Sequence, residues 1–412
     1  MFKFLDYEFD EKTFVGKFHY EGTDGKHFCE TITFAKTTET YSEDDRKVLD
    51  RAMQLAHLII GTSYYKAHPE KTVSLHYQID EFMAHFLNQT YQEGLSQFAY
   101  ENDLTRDNLA HFEANTERIE VEPLEYTHKG LLVGQSGGKD SLLVATMLDN
   151  EKTEWTGVTI SNTYSYPKII NHTGAKEIQL VHREVDLKAL KETGGMNGHV
   201  PVTYINMSIM LIQAILNHQN VVYTSIGHEG EEPHAHIGDL IINHQWSKTK
   251  AAEKLFEEYI HRYISKDIAV YSPIREYSEL KIAELFVDNC WEKYGHKFSS
   301  CNVANYKQGN DSSELKWCGE CAKCANSYIL FAPFLEPSEL NSIFVDNKSL
   351  YEKPELFDDF KGLFGIGDYV KPFECVGETQ ELRKAYHLKK ASYPDLPFEI
   401  PDSDFDYQIT YK

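Results

Sequence analysis

Residues 134–141 read Gly-Gln-Ser-Gly-Gly-Lys-Asp-Ser and combine the residue types that hold a phosphate group. Gly137 and Gly138 allow a ligand to approach the backbone, and amides at a helix start favour an anion. Lys139 adds a positive charge, two serine hydroxyls can donate, and Asp140 can hold Mg²⁺ directly or through water. The pattern predicts a phosphate-binding loop, with a ligand-free glycine-rich turn as the alternative. The predicted ligand-binding residues are Ser136, Gly137, Gly138, Lys139, Asp140 and Ser141.

This loop departs from two common nucleotide-binding motifs. A Walker A loop needs glycine at position 133 and Ser or Thr at position 140, where this chain has Val133 and Asp140. The dinucleotide fingerprint needs a second glycine where Ser136 stands. Ser-Gly-Gly-Lys-Asp-Ser instead resembles the ATP pyrophosphatase, or PP-loop, superfamily, whose members cleave ATP between the α and β phosphates. The resemblance implies that ATP and Mg²⁺ are bound here.

Four cysteines form a second candidate site. Cys318, Cys321 and Cys324 form a CxxCxxC motif, and Cys301 lies seventeen residues upstream. Four thiolates are the number that a closed tetrahedral Zn²⁺ site requires. Redox chemistry, iron-sulfur ligation or plain thiols are the alternatives. The motif also resembles the structural zinc site of the enzymes that make the nitrile precursor of queuosine.

Longer stretches resemble a narrower group, the UDP-N-acetylmuramoyl-L-alanyl-L-glutamate epimerases of peptidoglycan synthesis. Besides the phosphate loop, they are residues 61–66, 94–98, 197–202, 243–248, 317–321 and 371–377. The resemblance implies an enzyme that adenylates the terminal L-glutamate carboxylate of a UDP-linked muramoyl dipeptide. Such an enzyme inverts the α-carbon and releases AMP and pyrophosphate.

One region departs from that family. Where a Ser-Asn-Glu-like run is expected, the chain has Ser225-Ile-Gly-His-Glu229. An acidic, histidine-bearing loop follows it, with Glu231, Glu232, His234 and His236. We expect this loop to lie at the carboxyl end of a sheet strand and to contact the substrate. The departure leaves the identity of the activated carboxylate open.

Inversion of an α-carbon requires a base on one face and an acid on the other. Adenylation helps because it replaces the negative carboxylate with a neutral acyl group. The candidates for catalytic roles are Lys139, His244, Lys248, Glu229 and Cys375. Cys375 is either a proton-transferring thiol or a small buried residue. His244 and Lys248 either act on the substrate or only begin a helix.

Two further groups have equally open roles. Tyr64, Tyr65 and Lys66 could clamp a UDP group or a peptide, because Lys binds phosphate and Tyr stacks on bases. They could equally be a helix end packed on the sheet. His199, near Gly198 and Pro201, could shape a turn or reach the substrate.

The surrounding pattern predicts an α/β protein. Alternating residues at 13–20 and 27–34 predict a hairpin, and helical spacing follows at 45–61 and 80–93. After Pro123, strands alternate with helices, which predicts a doubly wound parallel sheet. Residues 337–412 have weak periodicity, with an extended or loose end. The predicted domains are an N-terminal α+β domain (1–125), an ATP-binding α/β domain (126–290) and a zinc-binding helical segment with a C-terminal extension (291–412).

The composition restricts the function. The 412 residues carry a net charge of −23, which disfavours nucleic acid and anionic membranes as partners and favours a small-molecule substrate. No stretch reads as a membrane span or a signal peptide, so we expect a cytoplasmic protein. The oligomeric state stays open.

Two other functions compete with the epimerase. An ATP-dependent ligase, amidating or nitrile-forming, would share the phosphate loop and the cysteine motif but would need a nitrogen donor. An ATP-binding module without enzymatic activity would form no AMP.

Overall fold

The computed structural model describes residues 1–116, 119, 121–228, 230–307 and 313–411. The strands in this part of the chain are β1 (Phe2–Asp10), β2 (Val15–Glu21), β3 (His27–Thr33), β4 (Val73–Ser74), β5 (Leu131–Gly134), β6 (Thr156–Ser161), β7 (Glu177–Glu184), β8 (Val221–Tyr223), β9 (Ala235–Ile237), β10 (Leu240–Ile242) and β11 (Ala269–Tyr271). The α-helices are α1 (Glu43–Ile60), α2 (Thr62–Tyr65), α3 (Glu81–Asn88), α4 (Ser96–Glu101), α5 (Lys139–Glu151), α6 (Leu187–Glu192), α7 (Val202–Leu216), α8 (Lys250–Tyr263), α9 (Glu279–Tyr294), α10 (Ala322–Phe331), α11 (Pro337–Asn341), α12 (Phe357–Leu363) and α13 (Thr379–Leu388).

One large sheet organises the fold. Its order over the described residues is β11-β8-β5-β6-β7-β3-β2-β1-β4. The neighbours from β11 to β7 run parallel, as the alternation of strands and helices predicts. Strand β3 pairs antiparallel with β7, so the N-terminal hairpin extends the same sheet. This pairing covers the edge of β7. The domain boundary predicted at residue 125 therefore separates strands that belong to one continuous sheet.

Helices cover both faces of the sheet. Successive residues of a strand point to opposite faces, and β5 shows the consequence. Leu132 packs in the core that contains α1, α7 and α8, whereas Leu131 and Val133 pack in the core that contains α5, α9 and α10. The result is an α/β architecture in which the parallel strands lie between two helical layers.

The N-terminal elements follow their sequence signals closely. The hairpin of β2 and β3 turns at Gly25, whose φ of 78° lies in the left-handed region. Helix α1 begins with a capping box in which Ser42 and Asp45 bond reciprocally to each other's backbone amides. Helix α3 continues as a π-helical turn over Gln89–Glu93.

The C-terminal part is more ordered than its weak periodicity predicts. Helices α12 and α13 pack on α10, and Phe360, Leu363 and Leu382 are completely buried there. These helices have seven and ten residues, too short for a clear repeating pattern. Beyond residue 400 the described chain has neither helix nor strand, and Tyr411 stacks on His228 with ring centroids 3.6 Å apart.

None of the helices in the described residues combines the length and apolar character needed to cross a membrane.

Candidate active site

The loop between β5 and α5 matches the phosphate-binding prediction in its backbone. Gly138 is the N-cap of α5, and no side chain of the described residues caps this helix start. Gly137 has a φ of 77°, and a Cβ added there would lie 2.7 Å from Leu315 Cδ1 and 2.8 Å from Ile169 Cγ2. A glycine is therefore required, and α5 begins directly at this loop, where the helix dipole favours an anion.

A cleft with a cavity volume of about 360 Å³ lies against this loop. It opens where β5, β6 and β8 end, at Gly134, Ser161 and Thr224. Its other walls come from α7, through Thr203 and Asn206, and from residues 299–302. Ligands of parallel sheets bind at this edge. The predicted loop residues that line the cleft are Ser136, Gly138, Asp140 and Ser141.

Lys139 points away from the cleft lining. Its side chain is only 7% exposed, and its Nζ donates to Asp140 Oδ1 at 2.6 Å and to Glu279 Oε2 at 2.5 Å. Glu279 lies in the first turn of α9 and is itself buried. Two carboxylates therefore already neutralise the ammonium group that was predicted to contact phosphate.

Two other lysines line the cleft. Lys248 lies just before α8, and its carbonyl accepts a hydrogen bond from Arg275 Nη1 at 2.6 Å. The N-cap of α8 is Thr249, whose side chain accepts from the Ala252 amide, so Lys248 is not the helix cap. Lys323, the residue before Cys324, is the second lysine. Both add positive charge beside the phosphate loop.

His244 lies behind these lysines in a hydrogen-bonded chain. Its Nδ1 is 2.6 Å from Gln97 Oε1, and Gln97 Nε2 donates to Glu101 Oε1 at 2.6 Å. Since an amide oxygen only accepts, Nδ1 carries the proton and Nε2 carries the lone pair. Burial is the main cause that lowers the pKa of His244 to about 4; the charges of Lys248 and Lys323 also lower it, and the Glu374 carboxylate raises it. At neutral pH this imidazole is uncharged and able to accept a proton.

Two more histidines surround His244. The ring of His199 lies 4.5 Å from it and the ring of His234 lies 6.0 Å from it, between centroids. His234 also stacks on Phe373 at 5.4 Å. Burial lowers the pKa of both His199 and His234 to about 3, so the whole cluster is neutral at pH 7.

The four motif cysteines converge, as predicted. The Sγ distances are 3.4 Å for Cys301–Cys318, 3.8 Å for Cys301–Cys321, 3.7 Å for Cys318–Cys324 and 3.6 Å for Cys321–Cys324. Sulfur atoms about 2.3 Å from a tetrahedral Zn²⁺ would lie about 3.8 Å apart. The set therefore fits a four-coordinate metal without rearrangement.

The backbone supports these sulfur atoms and connects them to the cleft. The amides of Ala304, Gly319 and Glu320 lie 3.3–3.4 Å from motif sulfurs, as expected around thiolates. Residues on both sides of Cys301 line the cleft, and so does Lys323, between Cys321 and Cys324. The cysteine cluster therefore holds one wall of the cleft.

Cys375 does not line the cleft in the part of the chain that the structure describes. Its carbonyl oxygen accepts from Lys323 Nζ at 2.7 Å, and the neighbouring Glu374 accepts from Asn302 Nδ2 at 2.7 Å. Through its backbone and Glu374, the segment contacts the wall of the cleft that the cysteine cluster supports.

The tyrosines at 64 and 65 pack in the core rather than forming a clamp. Tyr64 stacks on Tyr20 at 5.2 Å and its hydroxyl accepts from the Asp186 amide. Tyr65 is completely buried. Lys66 instead donates to Asn197 Oδ1 and Gly198 O, both at 2.8 Å.

The loop that departs from the family pattern follows β8 and includes β9 and β10. Glu229 lies outside the described residues. Glu231 accepts from the Lys250 amide, and Glu232 accepts from Lys371 Nζ and the Thr379 amide. These bonds tie the loop to α8 and to the start of α13, beside the His234 ring.

Sequence reasoning missed Lys323, Gln97 and the α7 residues of the cleft wall. The sequence held one indication for Lys323, because this lysine lies between two cysteines of the motif. Gln97 gave none, since its contact with His244 joins segments 147 residues apart.

The comparisons with known proteins fit this geometry. The chain matches the family described as the MurL N-terminal domain over residues 1–273 and that described as the MurL C-terminal domain over residues 297–395. The chain belongs to the MurL family. The family resemblance predicted from the sequence is thereby confirmed. The N-terminal MurL match contains the phosphate loop, and the C-terminal match contains the four cysteines.

Three relatives extend the MurL match, each named UDP-N-acetyl-alpha-D-muramoyl-L-alanyl-L-glutamate epimerase. The one from Xanthomonas oryzae pv. oryzae (strain MAFF 311018) is 30% identical over 93% of this chain and 84% of its own length. The Micromonospora sp. (strain ATCC 39149 / NRRL 15099 / SCC 1413) relative is 31% identical, over 92% and 84%. The Salinispora tropica (strain ATCC BAA-916 / DSM 44818 / JCM 13857 / NBRC 105044 / CNB-440) relative is 29% identical, over 96% and 86%.

Proposed function

We propose that this chain is an ATP-dependent epimerase. It adenylates the terminal L-glutamate carboxylate of UDP-N-acetylmuramoyl-L-alanyl-L-glutamate, inverts the α-carbon, and releases AMP and pyrophosphate. The observation that carries the proposal is a shared cleft: Asp140 and Ser141 line the same space as Lys248 and Lys323. The names of the three relatives support the choice of substrate.

The phosphate side of the cleft supports adenylation. The uncapped amides of α5 and the hydroxyl of Ser141 would bind phosphate oxygens, as in the PP-loop enzymes that the motif resembles. Asp140 would hold Mg²⁺, whose charge would neutralise the phosphates. We expect the phosphates to compete with Glu279 for Lys139. In the reaction, a carboxylate oxygen bonds to the α-phosphorus and pyrophosphate leaves.

The opposite side supports proton transfer. The acyl group of the adenylate is neutral. Loss of the α-proton therefore no longer places a carbanion charge next to a carboxylate charge. His244 Nε2 is suited to take that proton, and Lys248 to deliver one to the opposite face. Lys323 is placed to stabilise negative charge on the acyl oxygen. Water then breaks the mixed anhydride and releases AMP.

The four cysteines have a structural role in this proposal. Their spacing fits Zn²⁺, which would be held by thiolates alone with no open position for substrate. The metal would fix both the start of α10, which carries Lys323, and the segment that carries Asn302. The predicted cytoplasmic location stays a prediction.

The decisive experiment combines three readouts on one reaction. The protein is incubated in heavy water with ATP, Mg²⁺ and UDP-N-acetylmuramoyl-L-alanyl-L-glutamate. AMP and pyrophosphate are quantified, the glutamate is released by acid hydrolysis, and its configuration and α-deuterium are measured. We expect AMP release, D-glutamate and α-deuterium together, and only when ATP and Mg²⁺ are both present.

Each other outcome contradicts a stated part of the proposal. Deuterium incorporation without ATP would contradict activation by adenylation. Inversion without deuterium would contradict a pair of groups open to solvent exchange. AMP release that depends on ammonia and gives an amidated product would make the protein a ligase.

A further inference from the structure

A second cluster of potential ligands lies at the edge of the sheet opposite the cleft. His128 precedes β5 and His218 lies between α7 and β8, so both are at the amino ends of parallel strands. Asp45, in the first turn of α1, faces them. The cluster shares no residue with the cleft or with the four cysteines.

The two imidazoles are arranged around the Asp45 carboxylate. Their rings are 3.7 Å apart between centroids and nearly parallel, with an interplanar angle of 8°. His128 Nε2 lies 2.8 Å from Asp45 Oδ1, and His218 Nε2 lies 3.8 Å from Asp45 Oδ2. One ligand atom from each of the three residues lies within 4.8 Å of the others.

The hydrogen bonding leaves one lone pair without a donor. His218 Nδ1 is 3.3 Å from Glu39 Oε2, so Nδ1 carries the proton and Nε2 carries the lone pair. That Nε2 is buried and has no hydrogen-bond partner among the described residues. An ionised carboxylate cannot donate to it. The Nε2 lone pair and the Asp45 carboxylate repel each other unless a proton or a metal cation lies between them.

We propose that Asp45, His128 and His218 bind a divalent transition metal of the zinc class. Two imidazole nitrogens and one carboxylate oxygen are a common protein ligand set for Zn²⁺, with water in the fourth position. The contact from His218 Nδ1 to Glu39 is the carboxylate–histidine contact that orients a metal-bound imidazole. Ser42 completes the outer shell, because its amide and hydroxyl hold Asp45 Oδ2 at 2.9 Å and 2.7 Å.

The metal would join three segments that are distant in sequence. Asp45 belongs to α1, His128 to the segment that enters β5, and His218 to the connection from α7 to β8. Because α1 and α7 pack against each other, the site would fasten both to the sheet at one point. The site would therefore stabilise the fold and would not take part in the chemistry of the cleft.

Metal stoichiometry tests this site directly. The full-length protein is purified without chelators, dialysed against dilute zinc, and its zinc is counted by mass spectrometry. We expect about one zinc per chain more in the wild-type protein than in His218→Gln, since one of the three protein ligands is lost. His85→Gln, on the exposed face of α3, is the matched control and should keep the wild-type content.

Cobalt substitution separates this site from the cysteine cluster. Thiolate-bound Co²⁺ gives intense sulfur-to-metal charge-transfer absorption, and a histidine–carboxylate site does not. Titration of the wild-type protein should give a Co²⁺ equivalent without that absorption, and His218→Gln should lose this equivalent alone.

The Co²⁺ titration of the wild-type protein tests the proposed Asp45–His128–His218 site even if His218→Gln fails to fold. Wild-type protein that takes up only thiolate-bound Co²⁺ would overturn the proposal and would leave a protonated His218 between Glu39 and Asp45. Equal zinc in the wild-type protein and His218→Gln would overturn it as well.

Discussion

The two walls of the cleft are built in different ways. The phosphate wall comes from eight consecutive residues, 134–141, and presents mainly backbone amides and short polar side chains. The facing wall consists of Lys248 and Lys323, which line the cleft, with His244 and Gln97 behind them, and these residues come from three separate segments. The first wall is a local structure between a strand and a helix, whereas the second exists only in the folded chain.

This difference indicates which changes each wall tolerates. The phosphate wall depends on backbone shape, as the left-handed Gly137 shows. The facing wall depends on the cysteine cluster, because Lys323 projects from it. Damage to the cluster should therefore disturb proton transfer even though none of the four motif cysteines is among the described residues that line the cleft.

Cys318→Ser is expected to have the largest effect. Loss of one of four thiolates removes metal binding free energy that contributes to folding. We expect the motif-bound zinc to be lost, the melting temperature to fall, and both AMP formation and inversion to be abolished. Zinc analysis, thermal unfolding and the glutamate assay measure these three effects. Cys29→Ser, in β3, is the control, and unchanged zinc in Cys318→Ser would contradict the metal site.

Asp140→Asn tests the phosphate wall alone. Loss of a charged contact to the metal and phosphates should lower the rate of AMP formation about 100-fold or more. Glu151→Gln, at the exposed end of the same helix, should keep the wild-type rate. Normal AMP formation by Asp140→Asn would contradict the ATP site.

Lys139→Ala is a less clean test of this wall. It would leave Glu279 buried without its ammonium partner, at a cost of about 3 to 5 kcal/mol in the free energy of unfolding. A loss of activity in this variant could then come from a less stable fold as well as from a lost contact with phosphate.

Lys248→Gln tests the facing wall. Removal of one proton-transferring group should slow inversion about 100-fold, whereas α-deuterium exchange from the other face and AMP formation persist. The measurement is the ratio of D-glutamate to AMP in heavy water. Lys254→Gln, exposed on α8, is the matched control. A variant that loses AMP formation and inversion equally would place Lys248 in the phosphate site instead.

The smallest expected effect is a pH dependence of stability from His244. Burial lowers its pKa from 6.5 to about 4, so between these values the unfolded chain binds a proton that the folded chain does not. Its contribution is fully present above pH 6.5 and is lost as the pH falls. Between pH 7 and pH 5 we expect a loss of about 1 to 2 kcal/mol from this group.

Urea unfolding at several pH values measures that loss. His244→Gln should show a flatter pH dependence than the wild-type protein, and exposed His85→Gln should not. Equal slopes for His244→Gln and the wild-type protein would show that His244 is not buried in its neutral form.

Much of the fold follows from local sequence. The predicted alternation of strands and helices after Pro123 is confirmed, because buried strands give short apolar runs between turns. Ser278 caps α9 through a side chain that accepts from the Lys281 amide, and serine is one of the residues that favour this position. The pairing of β3 with β7 was not predicted, because no local pattern states which strand covers a sheet edge.

The candidate site also combines features that local sequence identifies with contacts that only the folded chain forms. The phosphate loop and the four cysteines have fixed spacings, so residue types and order alone identified them. The pairing of Lys139 with Glu279 was beyond such reasoning, because the partners are 140 residues apart and the burial that holds them together comes from α9.

The sequence by itself determined the α/β architecture, the glycine-rich loop before α5 and the cysteine motif, because these depend on the periodicity and spacing of neighbouring residues. The tertiary structure alone decided that Lys323 reaches the cleft, that His244 is buried and neutral, and that Asp45 meets two histidines across the sheet. Contacts between distant segments form only when the whole core packs, and burial then sets the charge state of the groups that the packing encloses.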